Sequence, residues 1–226
     1  MMMKPINMKP IFLSIILSML LFSAQYSHAH LIHQDEYTQV ITKRAQKIVD
    51  KLGLEEAKSS VVRAIIVQQY RDLNETQIWH DEQGKTLKAA AASTDELAQL
   101  EEEKNKKLAH LHDDYLGALK KQLNNEQIET VKNEMTYNVL PITYKGYVDM
   151  LPSLTEVQKK QILTYLTEAR EKAMDGGSSK EKHWWFGKYK GKINNYLSKE
   201  GVETKEARKV WEEKLKREER AKKAQS

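Results

Sequence analysis

Apolar residues recur every three or four positions along most of this chain, the spacing of one face of an α-helix. Tyr37, Val40, Ile41, Ile48 and Leu52 form one such face, and Gly53 behind them predicts a helix stop. Val61, Val62, Ile65, Ile66 and Leu73 form a second stripe that runs past Trp79, with Gly84 interrupting it without clearly ending it. Ser93 and Glu96 have the spacing of a capping box. From there Leu97, Leu100, Leu108, Leu111, Tyr115, Leu119 and Leu123 repeat over about eight turns. Ile128, Val131 and Met135 predict a short helix. Thr155 opens another through Met174, closed by Asp175-Gly176-Gly177. One more spans about Ser179 to Leu197, and a charged helix follows from Thr204. No alternation of apolar and polar residues is long enough for a strand. The expected fold is all-α: a helical bundle with long antiparallel helices and a smaller helical C-terminal part.

Three segments share a local form: Leu73-Asn-Glu-Thr-Gln77, Leu123-Asn-Asn-Glu-Gln127 and Leu154-Thr-Glu-Val-Gln158. In each, an apolar residue precedes a cap residue, and Gln follows the cap by three. Ordinary helix capping accounts for every residue of the form. It is also similar to the Leu-Thr-x-x-Gln motif of small periplasmic chaperones, and the first copy can equally lie inside a continuous helix.

One stretch departs from the periodicity. Pro141 and Pro152 bracket Ile142-Thr-Tyr-Lys-Gly-Tyr-Val-Asp-Met-Leu151, and each proline pushes the residue before it toward extended backbone. This predicts a tyrosine-rich loop over residues 138–153, either a working surface or a plain crossover that covers the bundle end.

The beginning of the chain reads as a leader. Lys4 and Lys9 supply a basic region, Ile11 to Phe22 an apolar run too short to span a bilayer, and Ser27-His-Ala29 small residues for cleavage after Ala29. The expected organisation is a signal peptide over 1–29 and a single helical domain over 30–226, divided into 30–137, the loop 138–153, and 154–226. Export to the periplasm or beyond follows, with no transmembrane segment in the mature chain. The sequence has no cysteine, so stability in an oxidising compartment must come from core packing. A net charge of +5, part of it in the leader, is too small to imply a nucleic-acid partner.

The densest chemistry is His183-Trp-Trp-Phe-Gly-Lys-Tyr-Lys-Gly-Lys-Ile-Asn-Asn-Tyr196. On a helix, Trp185, Tyr189 and Tyr196 share a face with Ile193 beside them, a stripe that reads as core. Gly187 and Gly191 leave a bare groove, with Trp184, Lys188 and Asn195 near it. Flat aromatic rings suit the C–H face of a sugar, amide and amine tips suit its hydroxyls, and lysines suit uronate carboxylates. Carboxylates are also candidates for acid/base work. Glu168, Glu171 and Asp175 fall on one helical face, which a solvated surface explains, and Asp149 and His183 are the better catalytic candidates if the chain is an enzyme. His30 and His33 near the expected new N-terminus, and His80, His110, His112 and His183, lack zinc spacing, so no metal and no cofactor are expected.

Several of these segments resemble the domain-of-unknown-function family numbered 3826: Met135 to Pro152, Glu168 to Ser179, Phe186 to Gly191, Ile193 to Leu197 and Gln69 to Asn74. The resemblance implies an exported bacterial protein associated with polysaccharide utilisation and sugar binding, and it supplies no catalytic residues. The leading expectation is therefore binding of a poly- or oligosaccharide, uronate-containing chains included. Tyr144, Tyr147, Trp184 and Tyr189 would stack, and Lys145, Lys188, Lys190, Asn194 and Asn195 would hydrogen-bond. A hydrolase or lyase on pectin-like glycans comes second, and a periplasmic chaperone third.

Overall fold

A computed structural model describes residues 36–224. The expected leader over 1–29, its cleavage site, and His30 and His33 lie outside the described residues. Eight helices follow one another: α1 (36–49), α2 (Glu56–Ala89), α3 (Thr94–Lys120), α4 (Asn125–Met135), α5 (Val139–Met150), α6 (Glu156–Met174), α7 (Ser179–Lys199) and α8 (Thr204–Ala224). No strand occurs among the described residues, so the all-α expectation holds. None of these helices is long and apolar enough to cross a membrane.

Local chemistry sets most of the helix ends. Gly53 sits at φ +62°, a left-handed conformation that closes the turn after α1 at no steric cost. Ser93, Asn124 and Thr155 start α3, α4 and α6, each in a capping box with Glu96, Gln127 and Gln158. The third lookalike, Leu73 to Gln77, is not a helix start. It lies inside α2, which runs unbroken for 34 residues, about 50 Å. Side-by-side packing of α2 on α3 overrides the local stop signals, and Gly84 faces Leu100 across that seam, where an added Cβ would sit 3.8 Å from its side chain.

The expected loop over 138–153 is a helix, α5. Pro141 is its third residue, within the first turn, where a backbone N–H has no intrahelical partner to lose. Pro152 stands just past the end, where a helix is over. The prolines therefore frame a helix from its two tolerant positions. What starts it is a pair of non-glycine left-handed residues, Tyr137 (φ 58°) and Asn138 (φ 55°). The Asn138 backbone N–H donates to Asn133 O and its side-chain amide to Glu134 Oε1, both at 2.7 Å, which stabilises the kink between α4 and α5.

Two apolar clusters form the interior. The first joins Ile41, Ile48 and Val49 of α1, Val62 and Ile66 of α2, Tyr115 and Leu119 of α3, and Ile128, Val131 and Met135 of α4. The second joins Leu140 and Tyr147 of α5, Ile162, Leu166 and Ala169 of α6, and Phe186, Tyr189, Ile193 and Leu197 of α7. Helix α6 belongs to both, since its last residue, Met174, enters the first cluster. Beyond the first core, the α2–α3 hairpin continues as an arm in which Leu73, Thr76 and Leu100 are buried. The α6–α7 turn packs against this arm, and the candidate site lies there.

Candidate functional site

The α6–α7 turn is a close fit. A Cβ on Gly176 would come within 3.2 Å of Ala173 O and 3.3 Å of the Lys182 backbone N, so a side chain there would fit only if its neighbours gave way slightly. Gly177 rests on the Gln77 side chain of α2. Ser178 caps α7 by accepting the Glu181 N–H at 3.1 Å, and the Glu181 carboxylate accepts the Gly177 N–H at 3.0 Å. From the start of α7, buried Lys182 reaches back and donates to Ala173 O and Met174 O, both at 3.0 Å, closing the C-terminal carbonyls of α6. Burial pulls its pKa down to about 8.

Behind this turn lies a network of charges. His112 of α3 has Nδ1 3.0 Å from Asp175 Oδ1 and Nε2 3.5 Å from Glu171 Oε2. Both ring nitrogens face carboxylates, so the imidazolium is favoured; these hydrogen bonds outweigh burial and push its pKa up to about 9. Burial would raise the Glu171 carboxyl, but hydrogen bonds from His112, Lys132 and Arg170 overcome it and hold the group at about 2. Burial wins at Asp175, which stays above the ordinary aspartate value despite its histidine. Arg170, with its side chain 3% exposed, spans Glu129 (2.8 Å), Asn133 (2.8 Å) and Glu171 (3.0 Å). The expectation of a solvated carboxylate face on α6 therefore holds for Glu168, which is exposed, and fails for Glu171 and Asp175. Their partners on α4 and α3 lie 39 and 63 residues away in sequence.

In front of the network is a cleft of about 460 Å³. Glu101, Lys104, Asn105, Leu108 and Ala109 of α3 form one side, and Lys172, Asp175, Glu181 and Trp185 the other. Glu101 accepts from His80 Nε2 of α2 at 2.7 Å. Trp185 is half-buried, packs edge-to-face on Trp184 at 4.8 Å, and shares the Lys188 ammonium with it at 5.1 Å. The cleft thus offers an aromatic wall, fixed carboxylates, amines and an amide.

The residues expected to bind sugar are divided by the fold. Tyr147 is 5% and Tyr189 8% exposed, both within the second core, and Tyr144 packs half-buried against it. The Tyr147 and Tyr189 rings are committed to the interior, and Tyr144 does not line the cleft. Tyr147 donates to Asn194 Oδ1 at 2.9 Å, so α5 and α7 do meet, but through a filled contact. Lys145 pairs with Asp149 on the outer surface of α5. Lys190 and Asn195 are exposed on α7, and Gly187 and Gly191 face open space. Trp184, 56% exposed, and Lys188 adjoin the cleft through Trp185. His183 is exposed and stacks on Tyr137 at 5.7 Å. Neither His183 nor Asp149 lines the cleft, so the two catalytic candidates do not converge on it.

The aromatic stripe of α7 is also turned from expectation. Lys182, Phe186, Tyr189, Ile193 and Leu197 face inward, and Trp185 and Tyr196 lie at the edge. Phe186 has no polar atom to satisfy, whereas an indole N–H needs a partner when buried, so the core takes Phe186 and leaves Trp185 to the cleft. Lys104, Asn105, Lys172 and Glu181 carry no local signal of a site; only their convergence from three helices marks them. Among the described residues, no group of three or more His, Asp and Glu is placed to hold a metal ion.

A sequence-family comparison matches residues 38–217 to the family described as "Protein of unknown function (DUF3826)". Comparison with curated proteins gives no match.

Proposed function

We propose that the chain, which belongs to the DUF3826 family, is an exported carbohydrate-binding protein whose site is the cleft between α3 and the α6–α7 turn. Export rests on the leader pattern of residues 1–29. Sugar binding rests chiefly on one observation: a half-buried tryptophan, Trp185, forms part of a cleft otherwise bordered mainly by charged and amide groups. A sugar ring has the complementary make-up, an apolar C–H face and a rim of hydroxyls. The cleft volume falls in the range of roughly 300–1,000 Å³ typical of small-ligand sites. A chaperone-like role has less support. The exposed large apolar residues, such as Val40, Ile78, Ile142, Val157 and Val210, number at most two on any described helix.

The test is a panel of plant and bacterial polysaccharides and their oligosaccharides, neutral and uronate-rich, read for binding and for product release. Binding that disappears in Trp185→Ala, with the helical signal intact, supports the reading. Binding that survives Trp185→Ala places the site elsewhere, and no binding across the panel removes the carbohydrate reading.

A glycan-active enzyme is the second reading, favoured by the three carboxylates around the cleft and by the His112–Asp175 pair at its wall. New reducing ends or unsaturated products in the same panel would put it first.

A further inference from the structure

The five charged side chains that line the cleft are of two kinds. Each carboxylate is already engaged by the protein: Glu101 by His80 at 2.7 Å, Asp175 by His112 at 3.0 Å, and Glu181 by the Gly177 N–H at 3.0 Å. The two lysines are not. Lys104 on α3 and Lys172 on α6 have no hydrogen bond, ion pair or ring contact with any described residue. The contrast is local, because Lys106 and Lys107 pair with Glu102 and Glu103 two and three residues further along α3. Glu171, beside Lys172 in sequence, is taken by Lys132, Arg170 and His112.

This division shows which charged groups the cleft holds ready for a ligand. His112, held protonated, offsets the charge of Asp175, and the amide at the start of α7 offsets part of that of Glu181. What the cleft leaves without a bonded partner is two ammonium groups on two different walls, with Trp185 also lining it. We infer that the ligand is an acidic saccharide whose uronate carboxylate lies between Lys104 and Lys172 while a ring face rests on Trp185, an inference that rests on the carbohydrate reading of the same cleft. A neutral sugar would leave both ammonium groups without a charged partner, whereas a carboxylate forms charge-assisted hydrogen bonds to each.

The experiment compares oligouronides with their carboxyl methyl esters, which keep the ring and linkage and remove the charge. Binding of each series is measured by calorimetry to the wild-type protein, to Lys104→Gln, to Lys172→Gln and to the double variant. The acid form should bind about tenfold tighter than the ester at low ionic strength, with each lysine contributing about threefold, as for a partly solvated ion pair. The preference should shrink at about 0.5 M salt. The double variant should bind acid and ester alike, with the thermal midpoint unchanged, since neither lysine holds the fold together. Equal binding of acid and ester to the wild type would overturn the inference and leave a neutral-sugar site standing. An acid preference that survives in the double variant would overturn it as well, by placing the anion elsewhere. Failure of both series and of every neutral sugar would remove the inference together with the carbohydrate reading beneath it.

Discussion

Replacing His112 by glutamine should change how stability depends on pH between about 6.5 and 9. In the folded protein the imidazolium faces Asp175 and Glu171, which push its pKa from 6.5 to about 9. At about 1.4 kcal/mol per unit, that shift sets a ceiling of about 3 kcal/mol. The side chain is 16% exposed, and partial solvent screening brings the expected contribution to about 1–2 kcal/mol. A raised pKa stabilises the fold fully below 6.5, and the gain is lost as pH rises through about 9. Lys182 acts in the opposite sense nearby. Burial lowers its pKa from 10.5 to about 8, so its ammonium disfavours folding below 8 and the penalty lifts as pH rises toward 10.5. The informative quantity is therefore the difference between wild type and His112→Gln at each pH, in which the Lys182 contribution cancels to first order. Urea unfolding followed by far-UV circular dichroism supplies it. The difference should be largest near pH 6 and decline by about 1–2 kcal/mol by about pH 9.5, leaving only a constant offset for the lost ring. A difference that varies by less than about 0.5 kcal/mol over this range would refute the buried ion-pair account of His112.

The remaining predictions concern the same network and the helix starts. Glu171→Gln strips Arg170, Lys132 and His112 of a shared carboxylate and should cost about 2–3 kcal/mol at neutral pH in urea unfolding. Because the Glu171 pKa is lowered from 4.5 to about 2, this difference should fade as pH drops through that interval; a loss below about 1 kcal/mol at neutral pH would mean that water already satisfies the cluster. Asn124→Ala and Thr155→Ala should each cost about 1 kcal/mol by removing a cap, whereas Asn74→Ala should be neutral or stabilise by up to about 0.5 kcal/mol, since Asn74 lies inside α2. Equal thermal losses in the three variants would contradict the different places the fold assigns to three similar segments.

Those three segments show where local reading reaches its limit. A capping box involves four consecutive residues, so Asn124 with Gln127 and Thr155 with Gln158 are legible without the fold. The same form at Asn74 is overruled because α2 buries Leu73 and Thr76 and continues along α3. The prolines around α5 mislead for a related reason. A proline breaks a helix only at certain positions, and the position of Pro141 depends on the left-handed pair Tyr137–Asn138, which contains no glycine to announce it. Tyr147, taken from that stretch as a sugar platform, then turns inward with the helix and becomes core.

Periodicity and capping chemistry act within a few residues of the chain, and they determined the all-α character, the ends of most helices and most of the apolar faces. The charged residues of the site are different in kind. A glutamate at 171 or a lysine at 104 has the same local surroundings whether it faces water or a partner, and its state depends on helices brought together from far along the chain. Only the tertiary structure decided that Glu171 and Asp175 are engaged while Lys104 and Lys172 are free, and that Trp185 borders a cleft while Phe186 fills the core. Burial, and through it the balance of desolvation against pairing, is a property of the packed whole.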